Sequence, residues 1–212
     1  MPALGLSTYP ISSVLGGHSS SISKAPTLTY TITSSTIEVE SPLLFLTFWR
    51  ETGFLVSLKD KDTMEYGLAS TMREVLAVDR TDPITLGGGA LLLHDDVPLF
   101  WDAWDISRYY METASKCVKR VLQEQDLTML SQHHFKIAFV FDCEGGSVIK
   151  QNVIINDYSK RIQYDVNVDW KEAHKLLKVY FPLNVRSDFA TYDIQFGNLQ
   201  RPTAPNTSWL VF

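Results

Sequence analysis

The run Asp95-Asp96-Val97-Pro98-Leu99-Phe100-Trp101-Asp102-Ala103-Trp104-Asp105 places four carboxylates and two indoles within eleven residues. Carboxylates accept hydrogen bonds from sugar hydroxyls, and an indole face covers the C–H face of a pyranose ring. Trp101, Asp102, Trp104 and Asp105 are therefore read as candidate substrate-binding residues for a carbohydrate. A calcium site, which needs six to eight oxygens, or a capped and well-packed turn would use the same residue types. As a catalytic pair, Asp102 and Asp105 would have to sit about 5–5.5 Å apart in contrasting environments, which one loop seldom provides. No catalytic residue is assigned.

Other chemistry finds little support. There is no G-x-S-x-G elbow, and the serines of Gly16-Gly17-His18-Ser19-Ser20-Ser21 fall in a linker-like stretch. His133 and His134 are adjacent, so on one strand they face opposite ways; a solvated loop is their expected home. His94 and Asp96 have an H-x-D spacing, but two ligands do not complete a zinc site. Leu86-Gly87-Gly88-Gly89-Ala90 is too short for a phosphate loop. No metal ligand set is assigned. Cys117 and Cys143 have neither metal-ligand spacing nor the pattern of a disulfide framework, and read as buried free thiols.

The aspartate-rich run needs a scaffold to hold it. Asp and Trp are weak helix formers, and Pro98 lacks an amide, so the run reads as a structured loop. The surrounding elements read as strands. Ile162, Tyr164, Val166, Val168 and Trp170 alternate with polar residues, a period of two that predicts a strand with one buried face. Phe135–Phe141, Val148–Ile155 and Lys175–Phe181 read likewise, and with Arg161–Val168 they predict a four-stranded antiparallel meander joined by turns. Upstream, the segments 27–33, 36–40, 43–49 and 54–60 are β-branched, alternating or continuously apolar. The stretch 111–127 fits either helix or strand and is assigned to strand. In Asp169-Trp170-Lys171-Glu172-Ala173-His174, Glu172 is expected to pair with a lysine on the outer face of the sheet. Many short strands with no convincing helix point to an all-β sandwich.

The bulk numbers agree with a globular chain: 45% of its 212 residues are hydrophobic and 12% aromatic. A net charge of −5 without any basic run disfavours nucleic acid and anionic membranes as partners. No apolar stretch approaches the roughly 20 residues of a membrane helix. The first residues have no positively charged region and do not read as a signal peptide, so a cytoplasmic setting is expected, with vacuole or lysosome as the alternative.

Several runs carry a specific resemblance. The aspartate-rich run followed by Tyr109-Tyr110-Met111-Glu112-Thr113 closely resembles the β-region of family 38 glycoside hydrolases, the class II α-mannosidases, with the cytosolic/vacuolar branch most similar. The resemblance continues through residues 168–182, 184–203 and 206–209, and 36–63 is similar to the segment where the family's large sandwich begins. It implies an all-β, antiparallel β-sandwich, a large supersandwich of the galactose mutarotase-like type, incomplete in this chain. Residues 1–17 would close a preceding small β-domain, 18–35 would be linker and first strand, and 36–212 would be partial large sandwich.

The resemblance also implies zinc-dependent, retaining hydrolysis of terminal α-D-mannosyl residues in a longer protein, serving oligomannose and free N-glycan catabolism. The zinc ligands and catalytic carboxylates would sit in a (β/α) domain absent from this chain. The chain itself would be a non-catalytic sandwich packed on that domain, reaching α-mannoside only through the whole enzyme. Trp101 and Trp104 would then anchor the packing or border the sugar pocket, and Arg201 would either stay an exposed surface arginine, the slightly favoured reading, or reach a carboxylate across the same interface. Departures from the family pattern include Gly89-Ala90 for an Asn-Gln pair and Ala204-Pro205 for His-Tyr. The competing readings are a stand-alone carbohydrate-binding module and a structural remnant without activity.

Overall fold

The computed structural model describes residues 28–61, 72–78, 86–101, 104 and 106–203. The expected small-domain end, most of the linker and residues 204–212 lie outside that range.

Two five-stranded antiparallel sheets form the body. The first is a meander of β1 (Thr29–Ile32), β2 (Thr36–Glu40), β3 (Leu44–Trp49), β4 (Leu55–Asp60) and β5 (Arg73–Ala77) in chain order. Three further strands follow: β6 (Ala90–Asp95), β7 (Ser115–Lys116) and β8 (Val118–Lys119). Next come β9 (Leu127–Ser131), β10 (His134–Asp142), β11 (Val148–Asn156) and β12 (Gln163–Asp169). The second sheet runs β12-β11-β10-β8, and β9 pairs with the other half of the β10 edge that β8 uses. The chain then adds β13 (Lys175–Tyr180), β14 (Phe189–Ile194) and β15 (Gly197–Pro202). A small sheet β13-β6-β7 and the hairpin β14-β15 complete the list.

Alternation decides where the core sits. In β10, Phe135, Ile137, Phe139 and Phe141 are buried while His134, Lys136, Ala138, Val140 and Asp142 are not. Their buried partners include Ile149, Val153 and Ile155 of β11 and Ile37, Val39, Leu46 and Phe48 from the first sheet. Phe48 meets Phe139 with ring centroids 6.2 Å apart, and Tyr30 stacks on Phe135 at 4.5 Å. Each fully buried phenylalanine contributes about 1.5–3 kcal/mol relative to exposure. The all-β sandwich expected from the sequence is the fold observed.

Three expectations need correction. First, β10, β11 and β12 form the predicted meander, but β13 leaves it and pairs with β6 from Lys175↔Asp95 to Tyr180↔Ala90. The connecting loop is held elsewhere. Glu172 Oε1 accepts from the amides of Gly145 (3.0 Å) and Ser147 (3.4 Å), and Ser147 Oγ accepts from Lys171 N at 2.7 Å. His174, at φ 55°, turns the chain, and its carbonyl accepts from Asp96 N at 2.8 Å. Glu172 is therefore a turn cap rather than half of a surface ion pair.

Second, the stretch 111–127 is neither one strand nor a helix. It holds the end of a 3-10 turn, Arg108–Glu112, the two-residue strands β7 and β8, and a second 3-10 turn, Glu124–Asp126. Third, β12 forms where predicted, yet its apolar face is open. Tyr164 packs edge-on against Phe181 (5.5 Å), whereas Val166, Val168 and Trp170 stay exposed. β12 is the edge strand, and among the described residues nothing covers that end of its face.

Candidate functional site: the β6–β7 loop

The aspartate-rich run leaves the end of β6 and returns through the 3-10 turn Arg108–Glu112. Side chains clamp both feet of this loop. The buried His94 ring uses Nδ1 on the Tyr110 carbonyl at 2.9 Å and meets the Tyr110 ring edge-on at 5.2 Å. Lys178 Nζ donates to Tyr110 Oη at 2.7 Å and lies 4.5 Å from that ring's centre. Asp95 N donates to Thr113 Oγ1 at 2.9 Å, and Thr113 Oγ1 donates to the Tyr110 carbonyl at 2.9 Å. Tyr109 Oη donates to the Val97 carbonyl. Lys175 Nζ donates to Asp95 Oδ1 at 2.6 Å, and this bond holds the Lys175 ammonium above its ordinary pKa. Because β13 pairs with β6, Lys175 and Lys178 reach the loop from the neighbouring strand.

The loop tip points outward. Trp101 is 76% exposed with a left-handed backbone, φ 61°, and Trp104 is 86% exposed. A backbone bond from Trp104 N to the Trp101 carbonyl, 2.9 Å, brings the two residues into one turn. Leu99 and Phe100 beside them are also exposed. Asp102 and Asp105 lie outside the described residues. Arg201 sits on β15, exposed, with its guanidinium 5.8 Å from the Tyr192 ring. Among the described residues no hydrogen bond or ring contact joins Arg201 to the tryptophan turn.

The His94 Nδ1 is committed to Tyr110, and among the described residues no group of three His, Cys, Asp or Glu could hold a metal ion. Among the described residues one buried Asp96 oxygen has no hydrogen-bond partner. His133 does sit in an exposed turn, with Nδ1 2.8 Å from Asp157 Oδ2. His134 instead opens β10, bonded through Nδ1 to Ser131 Oγ (3.1 Å) and through Nε2 to Tyr158 Oη (2.8 Å).

A polar pocket of about 250 Å³ lies beside it, with His134, Tyr158, Arg161 and Gln163 among its walls. Sequence reading missed this pocket, because its walls come from three strands and a turn whose residues carry no motif.

A family model, "Glycosyl hydrolases family 38 C-terminal domain", matches residues 39–211. The chain belongs to this family. Alpha-mannosidase 2C1 of Homo sapiens is 43% identical over 125 residues, covering 58% of this chain and 12% of the human protein. Alpha-mannosidase G of Dictyostelium discoideum is 34% identical over 125 residues, 58% of this chain and 11% of that protein. The alpha-mannosidase of Saccharomyces cerevisiae is 33% identical over 129 residues, again 58% of this chain and 12% of its own. The chain thus matches only about an eighth of the length of these relatives.

Proposed function

We propose that this chain is the C-terminal β-region of an α-mannosidase, an enzyme that removes terminal α-D-mannosyl residues in the catabolism of oligomannose and free N-glycans. Its role is non-catalytic: it packs on the domain that carries the chemistry, in the cytoplasm. The family match and the 43% identity to an alpha-mannosidase support the enzyme assignment. The observation that carries the packing role is the pair of exposed indoles, Trp101 and Trp104, on a loop whose feet are rigidly clamped. Large aromatic side chains on a fixed loop are the residue type that anchors protein interfaces. The exposed apolar side chains of Val166, Val168 and Trp170 at the β12 edge add to it. The zinc that the resemblance implies finds no set of three His, Cys, Asp or Glu donors among the described residues.

A chimera tests the reading. Residues 39–211 replace their counterpart in human alpha-mannosidase 2C1, and hydrolysis of an aryl α-mannoside is measured. Retained turnover together with an inactive isolated chain is the expected outcome. Turnover by the isolated chain would overturn the non-catalytic role, and a folded but inactive chimera would overturn the family role.

The exposed indoles also suit the second reading, a stand-alone carbohydrate-binding module using Trp101, Asp102, Trp104 and Asp105. Binding of mannose oligosaccharides by the isolated chain, lost in Trp101→Ala, would favour that reading.

A further inference from the structure

Cys117 and Cys143 are 26 positions apart in sequence and belong to different segments, yet they are neighbours in space. β8 and β10 pair antiparallel with Phe141 opposite Lys119 and Asp142 opposite Val118. One further step of the same register sets Cys143 opposite Cys117. Arg120 N donates to the Val140 carbonyl at 2.7 Å, and bonded and non-bonded pairs alternate along such a ladder. Counting from Arg120 and Val140 makes the cysteines a non-hydrogen-bonded pair. Their amides agree: Cys117 N donates to Leu91 O (3.4 Å) and Cys143 N to Ser147 O (2.9 Å), neither to the other. Residues in a non-hydrogen-bonded pair have Cα atoms about 4.5 Å apart, within the roughly 4.4–6.8 Å that a disulfide spans. Both side chains are buried in the core between the sheets.

We propose that Cys117 and Cys143 are a modification site: a cross-strand dithiol that a low-molecular-weight disulfide, such as oxidised glutathione, converts into an intramolecular disulfide. One cysteine, as thiolate, attacks a sulfur of the oxidant, forming a mixed disulfide and expelling one glutathione thiolate. The second, having lost its proton, attacks the protein sulfur of that mixed disulfide and expels the other glutathione. Two protein thiols are oxidised and one glutathione disulfide is reduced to two thiols.

Burial raises both thiols, and the nearby carboxylates Glu172, Glu144 and Asp142 act in the same direction. The reaction is therefore slow until the short β7–β8 edge opens. Because Cys117 N also bonds β6 at Leu91, the new bond ties the β6–β7 sheet to the end of β10.

The experiment incubates the intact, folded chain with a glutathione redox buffer, quenches with acid and reads intact mass, alkylated peptides and thermal melting. The expected result is a loss of about 2 Da with no glutathione adduct, and a linked Cys117–Cys143 peptide. Melting rises by about 5 °C, because the bond closes a long loop in the unfolded chain. Cys117→Ser and Cys143→Ser, each alone, form no internal disulfide and show no oxidant-dependent rise. The proposal is overturned by stable glutathione adducts on the wild-type chain, by links between chains, or by a disulfide that forms only when guanidinium unfolds it.

Discussion

The Glu172 carboxylate closes the Gly145 turn, Oε1 accepting the Gly145 amide at 3.0 Å from 27 positions downstream. A Cβ on Gly145 would lie 2.0 Å from the other carboxylate oxygen, so glycine is required for this approach. Loss of a charge-assisted acceptor at a partly buried turn costs about 1–2 kcal/mol, which is the expected effect of Glu172→Ala in urea denaturation. Gly145→Ala should cost a similar amount, since the carboxylate must move away. Both changes break one interaction, so the double variant should lose less than the two single losses together. Strict additivity would show that the two residues do not act as a unit.

Gly89 offers a gain in stability. Among the described residues the buried Tyr164 Oη has no hydrogen-bond partner, and a Cβ on Gly89 would lie 3.8 Å from it in ordinary contact. Gly89 has φ 80°, a backbone region that Asn tolerates better than Ala. Gly89→Asn can offer its amide oxygen to the Tyr164 hydroxyl and should stabilise the chain by about 0.5–1.5 kcal/mol. Gly89→Ala should destabilise by about 1 kcal/mol through strain alone. The Asn gain should vanish in a Tyr164→Phe background; persistence there would refute the hydrogen bond.

Alkaline pH should unfold this chain early. Burial pushes the Tyr164 hydroxyl and both thiols up from their ordinary values. The folded chain therefore keeps protons that the unfolded chain releases above about pH 8.5 for cysteine and 10 for tyrosine. Stability from these groups is complete below those values and falls as pH rises through them toward the raised folded values. Melting temperature should decline from about pH 9 upward, and Tyr164→Phe should flatten the upper part of the decline. A flat profile to pH 11 or beyond would contradict the burial of these groups.

The strands were legible where one face is buried against a partner sheet. Phe135, Ile137, Phe139 and Phe141 alternate because the first sheet covers one side of β10, and that period marks the strand without any structure. Partner choice was not legible. β13 has the same alternation as β12 but pairs with β6, a decision made by the Glu172 cap and the left-handed His174, neither of which has a periodic signature.

The same limit holds at the site. Composition singled out Trp101 and Trp104 as a loop, whereas the clamp from His94, Tyr110 and Lys178 depends on three segments meeting in space. The cysteine pair was missed for that reason too: spacing along the chain carries no information about cross-strand register.

Trp104 separates the packing and sugar readings of the loop. Its side chain is 86% exposed, so within this chain it buries little apolar area. Trp104→Ala should therefore change the isolated chain's stability by no more than about 0.5 kcal/mol, as surface substitutions do. In the chimera with human alpha-mannosidase 2C1 the proposed packing role predicts a different result. There the indole would be buried against the catalytic domain, and truncating a buried aromatic anchor costs about 2 kcal/mol or more. The chimera should lose melting temperature and become sensitive to proteolysis between the domains, while KM for an aryl α-mannoside stays within a factor of about two. A sugar platform predicts the reverse: unchanged melting with a KM that rises about tenfold, because uniform binding is lost. Measuring both quantities on one preparation decides between them, and a variant that leaves both unchanged would remove Trp104 from the interface and from the sugar site alike.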